Sequence, residues 1–164
     1  EEVLVCKVHP EIVTHHQKLP EEETRDMASL FEDRYNAIRA FERYAADNGM
    51  PILKFFLNIS RDEQRRRFLA RIDEPEKNWK FSEADLRERG FWQDYQQAFE
   101  DAINETATHY APWYVVPADN KKTMRLIVAS AVLDTLQQMD MQYPTVSQER
   151  EKELQAYRSK LLDS

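Results

Sequence analysis

The residue types best suited to chemistry in this sequence are the cations gathered between residues 61 and 89. That stretch holds nine Lys and Arg and eight Asp and Glu, so its net charge is +1. The whole chain has a net charge of −7, and the remaining residues therefore carry −8. Arginine offers planar forks and lysine a mobile point charge to phosphate oxygens. Phosphoryl transfer needs such cations around the transferring group. Eight of them bracket a bend rich in aromatic residues: Arg65, Arg66, Arg67, Arg71, Lys77, Lys80, Arg87 and Arg89.

Acidic residues interleave with these cations, and this pattern favours a second interpretation. Mixed charge along a helix is typical of a solvated face whose ion pairs each contribute about 0.3–0.5 kcal/mol. From charge alone, a phosphate site and a plain surface therefore both remain open.

The other reactive residue types carry weaker signals. The four histidines, His9, His15, His16 and His109, show no metal-ligand spacing with each other or with the single Cys6, which also excludes an internal disulfide. Ser60 could act as a nucleophile, but its position before a helix already explains it as a cap. No metal ligand is predicted.

Three tryptophans could stack on a nucleobase. Core packing is the better interpretation for Trp92 and Trp113. Trp79 differs, because it lies between Lys77 and Lys80 in the bend. Trp79 is therefore the tryptophan whose substitution would be most informative.

Composition limits the classes of protein that the chain can represent. Its 164 residues suit one domain with a real core. No apolar run approaches the roughly 20 residues of a membrane span, and the acidic balance argues against a nucleic-acid binder. With one cysteine, a reducing cytoplasm is the expected compartment. The only glycines, Gly49 and Gly90, form no phosphate-cradling loop, so the chain is not expected to be a complete kinase by itself.

The order of predicted elements indicates an α/β fold with a parallel sheet. Apolar runs at 2–8, 52–59 and 111–117 predict strands, residues 10–24 predict a loop, and helical spacing follows each of the last two strands. A charged helix is predicted over about 147–162. Ser60 and Glu63 form a capping box that starts a helix directly after the second strand. Ligands bind at such strand ends, and a helix–bend–helix segment rising there could close as a lid.

Several ordered motifs resemble the polyphosphate kinase 2 family. They are LKFFLNIS (53–60), DEQ (62–64), Arg67, Arg71, PEKNWKFS (75–82), Asp85, Trp92, Tyr95 and APWYVVPAD (111–119), with EVLV (2–5) and YNAIRAFE (35–42) upstream. The similarity extends over about residues 1–144, and the runs at 75–82 and 111–118 are its most specific parts.

The resemblance implies part of a P-loop kinase-like three-layer fold with a parallel sheet and a helical lid at about 61–90. Such enzymes move phosphoryl groups between inorganic polyphosphate and nucleoside di- or monophosphates, with Mg²⁺. By the resemblance, Arg67 and Arg71 are catalytic lid cations, and Lys77, Trp79 and Lys80 bind substrate. A homo-oligomer is expected.

The sequence departs from the family pattern by lacking its glycine-rich Walker A loop and its Asp-Arg motif. We therefore expect residues 1–164 to be the C-terminal part of one domain, inactive by itself, with the Mg²⁺ ligands outside it. Two alternatives remain open. One is an ATP-dependent nucleoside monophosphate kinase, and the other is a non-catalytic interaction module that uses the charged terminal helix.

Overall fold

The computed structural model describes residues 2–163, which are mostly helical around a small parallel sheet. In chain order the elements are α1 (Val5–Val8), a π-helical turn (Ile12–His16), α2 (Glu21–Thr24), α3 (Met27–Asp47), β1 (Lys54–Asn58), α4 (Arg61–Asp73), a 3₁₀ helix (Pro75–Lys80), α5 (Glu83–Glu88), a 3₁₀ turn (Arg89–Phe91), α6 (Trp92–Thr106), β2 (Trp113–Pro117), α7 (Lys121–Gln138) and α8 (Gln148–Leu162).

Strands β1 and β2 pair in parallel, in register from Lys54 opposite Trp113 to Asn58 opposite Pro117. Parallel pairing confirms the predicted α/β arrangement. Beyond the last pair, the Ala118 amide donates to the Asn58 carbonyl (2.8 Å). Both strands therefore end at the same edge of the sheet, where α4 and α7 begin.

The predicted strand at 2–8 is wrong, because this segment forms a turn and then α1. Val3 and Cys6 are buried three positions apart, as on one face of a helix. They pack against Leu30, Phe31 and Tyr35 of α3. A short apolar run does not distinguish a buried strand from a buried helical turn, and here the segment buries its side chains against α3 as a helical turn.

The predicted loop at 10–24 is also partly wrong, since it contains the π-helical turn and α2. Val13 in that turn is fully buried in the same cluster of side chains. Burial of this apolar side chain offsets the polar composition that predicted a loop.

A buried ion pair connects α3 to β1. Lys54 Nζ lies 2.7 Å from Glu42 Oε2, and it also donates to the Thr106 carbonyl (2.7 Å). The ammonium lies over the Trp113 ring, 5.3 Å from its centroid. A paired charge of this kind costs several kcal/mol if one partner is removed, so the pair ties α3 and α6 to the sheet.

The start of α4 uses two caps. Ser60 Oγ accepts from the Glu63 amide (3.1 Å), as predicted. The reciprocal bond of a capping box is made by another residue, since the Ser60 amide donates to Asp119 Oδ1 (2.7 Å) while Glu63 pairs with arginines. The ends of β1 and β2 are therefore joined through Asp119. The next helix, α7, is capped by Asn120, whose Oδ1 accepts from the amides of Lys122 and Thr123.

The chain divides into two compact units, residues 1–132 and 133–164. The first contains the sheet and all elements up to most of α7. The second contains the end of α7 and α8, with Ser147 capping α8 through its Oγ. Within the described residues, no helix combines the length and apolar character needed to cross a membrane.

Candidate phosphate-binding site

A cleft of about 320 Å³ lies beside α4 in the first unit, and its walls carry mostly positive charge. Six cations and one carboxylate line it together with Ala70. The charged residues are Arg66, Arg67, Arg71, Lys77, Lys80, Lys121 and Glu74. The four cations singled out from the sequence, Arg67, Arg71, Lys77 and Lys80, thus share one cavity. A cavity of this charge suits a phosphorylated ligand.

Arg67 is the cation held most firmly to the protein. Its Nε lies 2.7 Å from Glu63 Oε1, and its Nη2 donates to the carbonyl of Ala118 (2.7 Å). Only 28% of the side chain is exposed. These bonds fix α4 to the end of β2 and orient the guanidinium at the edge of the cleft.

Arg71 lies one helical turn further along α4. Its Nη1 is 2.9 Å from Asp85 Oδ2 of α5, and its guanidinium carbon lies 5.3 Å from the Phe68 ring centroid. Ser82 Oγ caps α5 by accepting from the Ala84 amide, and Asp85 of the same helix binds Arg71. Arg71 therefore connects the two helices on either side of the bend.

The bend itself is fixed to the end of α4. Asn78 Nδ2 donates to the carbonyls of Arg71 (2.8 Å) and Ile72 (2.7 Å), so the 3₁₀ helix folds back on α4. Lys77 forms an ion pair with Glu74. Both lysines of the bend consequently reach the cleft.

Trp79 does not line the cleft, and it is 78% exposed. Its contact with the site is indirect, because Lys80 Nζ lies 4.9 Å from the centroid of its ring. A cation–π contact of this kind contributes about 0.5–1 kcal/mol at an exposed site. Its predicted role in substrate binding stays a prediction, with Lys80 as the link.

Two cleft cations were not assigned from the sequence. Arg66 is one of the eight cations that bracket the bend, but the family resemblance gave it no role. In the structure it donates to both carboxylate oxygens of Glu63, at 2.6 Å each. Lys121 received no role, because the motif that precedes it ends at Asp119. Lys121 follows β2 closely, and β2 is parallel to β1, which precedes α4. Because ligands bind at the carboxyl ends of parallel strands, this position could have identified Lys121 as a site residue.

Glu63 organises two of these arginines. The side chain is only 10% exposed, and hydrogen bonds from Arg66 and Arg67 lower the pKa of Glu63 to about 2. The carboxylate therefore stays ionised at any physiological pH. It holds Arg66 and Arg67 side by side, which concentrates positive charge on one face of α4.

The remaining candidates have structural explanations. Trp113 Nε1 donates to Thr106 Oγ1 (2.9 Å) next to the buried Lys54. Trp92 is half-buried and lines a cavity of about 450 Å³ that residues of β1 and α6 contribute to. Ser60 is engaged as a cap. In the described part of the chain, no three His, Cys, Asp or Glu side chains are placed to hold a metal ion.

His9 lies in a hydrogen-bonded cluster with Glu88 and Tyr95. Its Nε2 lies 2.8 Å from Glu88 Oε2, which also accepts from the Tyr95 hydroxyl (2.7 Å). The bond to Glu88 raises the pKa of His9, and the bonds from Tyr95 and His9 lower the pKa of Glu88. This cluster fastens the segment after α1 to the end of α5.

The sequence model of polyphosphate kinase 2 matches residues 23–144 of the chain. The chain belongs to the polyphosphate kinase 2 family. It is 49% identical over 162 residues to an ADP-polyphosphate phosphotransferase of Rhodopseudomonas palustris, covering 99% of this chain and 55% of that protein. It is also 50% identical over 123 residues to an AMP/ADP-polyphosphate phosphotransferase of Meiothermus ruber. That match covers 75% of this chain and 46% of the Meiothermus protein.

Solved structures of polyphosphate kinase 2 proteins resemble this fold. The fold matches the crystal structure of polyphosphate kinase 2 from Arthrobacter aurescens with a TM-score of 0.79 and 37% identity, over 99% of this chain and 51% of that one. The predicted P-loop kinase-like fold is thereby confirmed. The chain spans about half the length of each of these three relatives.

Proposed function

We propose that the protein to which these residues belong transfers phosphoryl groups between inorganic polyphosphate and nucleoside di- or monophosphates. The observation that carries this proposal is the cleft beside α4, where six cations face one carboxylate. Polyphosphate is a linear polyanion without a base or sugar, so charge is the feature by which a protein can hold it. The printed names of the relatives support the same donor.

In the proposed reaction, a terminal phosphate oxygen of the nucleotide attacks the last phosphorus of polyphosphate in line. The bond from that phosphorus to the bridging oxygen breaks, and the shortened polyphosphate leaves with the electron pair. Arg67 and Arg71 act as the catalytic cations that offset charge on the transferring group. Lys77 and Lys80, with Trp79 beneath Lys80, hold the polyphosphate chain.

The different roles of the arginines and the lysines follow from how firmly the protein holds each side chain. Arg67 and Arg71 are fixed by Glu63 and Asp85, so their orientation needs little reorganisation during the reaction. The lysines lie in the 3₁₀ bend, where a short backbone movement changes their reach. We therefore place the arginines at the reacting phosphorus and the lysines along the polyphosphate.

Mg²⁺ belongs to the proposal as the ion that would screen the phosphate oxygens. Residues 2–163 do not fit it, because they contain no cluster of three metal-ligating side chains, and Asp119 at the strand ends already accepts from Ser60. We expect its ligands in the part of the relatives' length that this chain does not span.

Further parts of the proposal concern the surroundings of the protein. A cytoplasmic location fits the supply of nucleotides and the single buried cysteine. A homo-oligomer fits the exposed Leu154, Tyr157 and Leu161 of α8. No nucleic acid is expected as a partner of this acidic chain.

A donor comparison tests the proposed activity. The natural protein containing this sequence is incubated with ADP or AMP and Mg²⁺, with either polyphosphate or ATP as the sole phosphoryl donor. We expect the acceptor to be phosphorylated from polyphosphate. Transfer from ATP to AMP without transfer from polyphosphate would instead indicate a nucleoside monophosphate kinase, and no transfer from either donor would favour an interaction module.

A further inference from the structure

The six cations of the cleft differ in whether a carboxylate of the protein already neutralises them. Arg66 and Arg67 share Glu63, and Arg71 pairs with Asp85. Lys77 pairs with Glu74 on the wall of the cleft itself. These four cations therefore share three carboxylates, and each has a carboxylate partner before any ligand arrives.

Lys80 and Lys121 are the two that remain. Among the ion pairs formed within residues 2–163, none involves either ammonium group. Lys80 has a ring contact with Trp79, which leaves its charge uncompensated. A ligand phosphate that binds these two lysines displaces no carboxylate, whereas binding to the other four cations competes with an existing pair.

The two lysines also come from different parts of the fold. Lys80 ends the 3₁₀ helix of the bend, and Lys121 is the first residue of α7, directly after β2. The segment between β2 and α7 is well fixed, since Asn120 caps α7 and Asp119 accepts from the Ser60 amide. Lys121 therefore offers a charge on a firm base, and Lys80 offers one on the bend.

We propose that Lys121 binds the phosphate of the ligand directly and, with Lys80, bridges the bend to the sheet through that ligand. This assignment rests on the proposed function for its choice of a polyphosphate ligand. It adds a binding residue outside residues 61–90, so the site would include the start of α7 as well as α4 and the bend. The bridge gives the ligand a means of holding the bend against the sheet.

The experiment compares K121Q with K122Q in the natural protein that contains this sequence. Both lysines are exposed and adjacent, and glutamine has nearly the helix propensity of lysine. Only Lys121 lines the cleft. The probe is inorganic tripolyphosphate, and its dissociation constant is measured by isothermal titration calorimetry at constant ionic strength.

We expect K121Q to weaken tripolyphosphate binding by about tenfold or more, the effect of one lost charged hydrogen bond. K122Q should bind within about twofold of the natural protein, the difference expected from distant screened charge. K121R, which keeps the charge, should recover most of the affinity. Equal affinities of K121Q and K122Q would overturn the assignment, as would a natural protein that does not bind tripolyphosphate.

Thermal unfolding without ligand separates folding from binding. K121Q and K122Q should unfold at the same temperature, because neither side chain is buried. A marked loss of stability in K121Q alone would show a structural role and overturn the proposal. Calorimetry measures binding without turnover. The Lys121 assignment can therefore fail while the donor comparison succeeds, and the donor comparison can fail while the Lys121 assignment holds.

Discussion

At the scale of single residues, Arg71 is the side chain whose role is most open to measurement. It is fixed to Asp85 across the bend and lines the cleft. Its charge can therefore serve the ligand, the packing of α4 on α5, or both. The two roles separate when the charge and its partner are changed independently.

We predict that R71A lowers turnover with polyphosphate by at least about tenfold in the natural protein, the scale of one transition-state charge contact. The matched control is D85N, which keeps the arginine but removes its carboxylate. D85N should stay within a few-fold of normal turnover. Unchanged kinetics in R71A would contradict the role, and equal losses in both variants would show that Arg71 acts through the helix contact.

Glu63 allows a second residue-scale prediction, because two arginines lower its pKa to about 2 from an ordinary value of about 4.3. A lowered pKa in the folded state stabilises the protein above the unfolded pKa, and that stabilisation is lost as pH falls through the folded pKa. The loss should therefore occur between about pH 4.3 and 2. It should disappear in E63Q, which cannot titrate.

Urea unfolding followed by circular dichroism measures this effect at pH 7, 4.5 and 2.5. We expect E63Q to be less stable than the natural protein at pH 7 and to approach it at pH 2.5. A difference in unfolding midpoint that is the same at all three values of pH would contradict the account of Glu63.

At the scale of elements, the histidine cluster predicts a pH response of its own. His9 joins the segment after α1 to Glu88 of α5 and to Tyr95 of α6, with Glu11 near its Nδ1. The pKa of His9 is raised, so its stabilisation is present below about pH 6.5 and is lost as pH rises through the raised pKa. The lowered pKa of Glu88 keeps the carboxylate ionised throughout that range.

Thermal unfolding between pH 5.5 and 9 checks this element contact. H9Q should lower the unfolding temperature most at pH 5.5 and progressively less as the pH rises. H16Q is the control, because His16 is exposed and no shift in stability is expected. An H9Q effect that does not diminish with pH would mean that the ring packing against Phe91, rather than its charge, is what stabilises the contact.

The helices and strands also show which elements the sequence alone could predict. The run at 52–59 predicted β1 correctly, because a short apolar strand followed at once by a serine cap permits few other structures. The similar run at 2–8 became a helical turn, because its burial depends on α3, which the run itself does not reveal. Local pattern determines a strand only when a neighbouring strand is available.

The same limit applies to the bonds that fix the site. Ser60 and Glu63 have the spacing of a reciprocal capping box, but Asp119 supplies the second bond from 59 residues away. Asp85 has cap spacing with Ser82, but it binds Arg71. Sequence identifies donors and acceptors, whereas the choice among competing partners is made by the tertiary fold.

At the scale of the whole molecule, the chain is acidic while the basic cleft beside α4 is small. That contrast favours a short anionic chain over an extended nucleic acid. Four of the cleft's cations were predicted by number from the sequence, because the family motif retains them in order. Lys121 was left unassigned although it follows the predicted strand at 111–117, because its approach to the cleft depends on the pairing of β2 with β1.

The central claim is that polyphosphate lies in the cleft beside α4. A crystal structure of the natural protein with inorganic tripolyphosphate tests it most directly. The account predicts phosphate oxygens within hydrogen-bonding distance, about 2.7–3.2 Å, of the Arg71 and Lys80 side chains. Tripolyphosphate bound elsewhere on the protein, with no phosphate in the cleft, would contradict it.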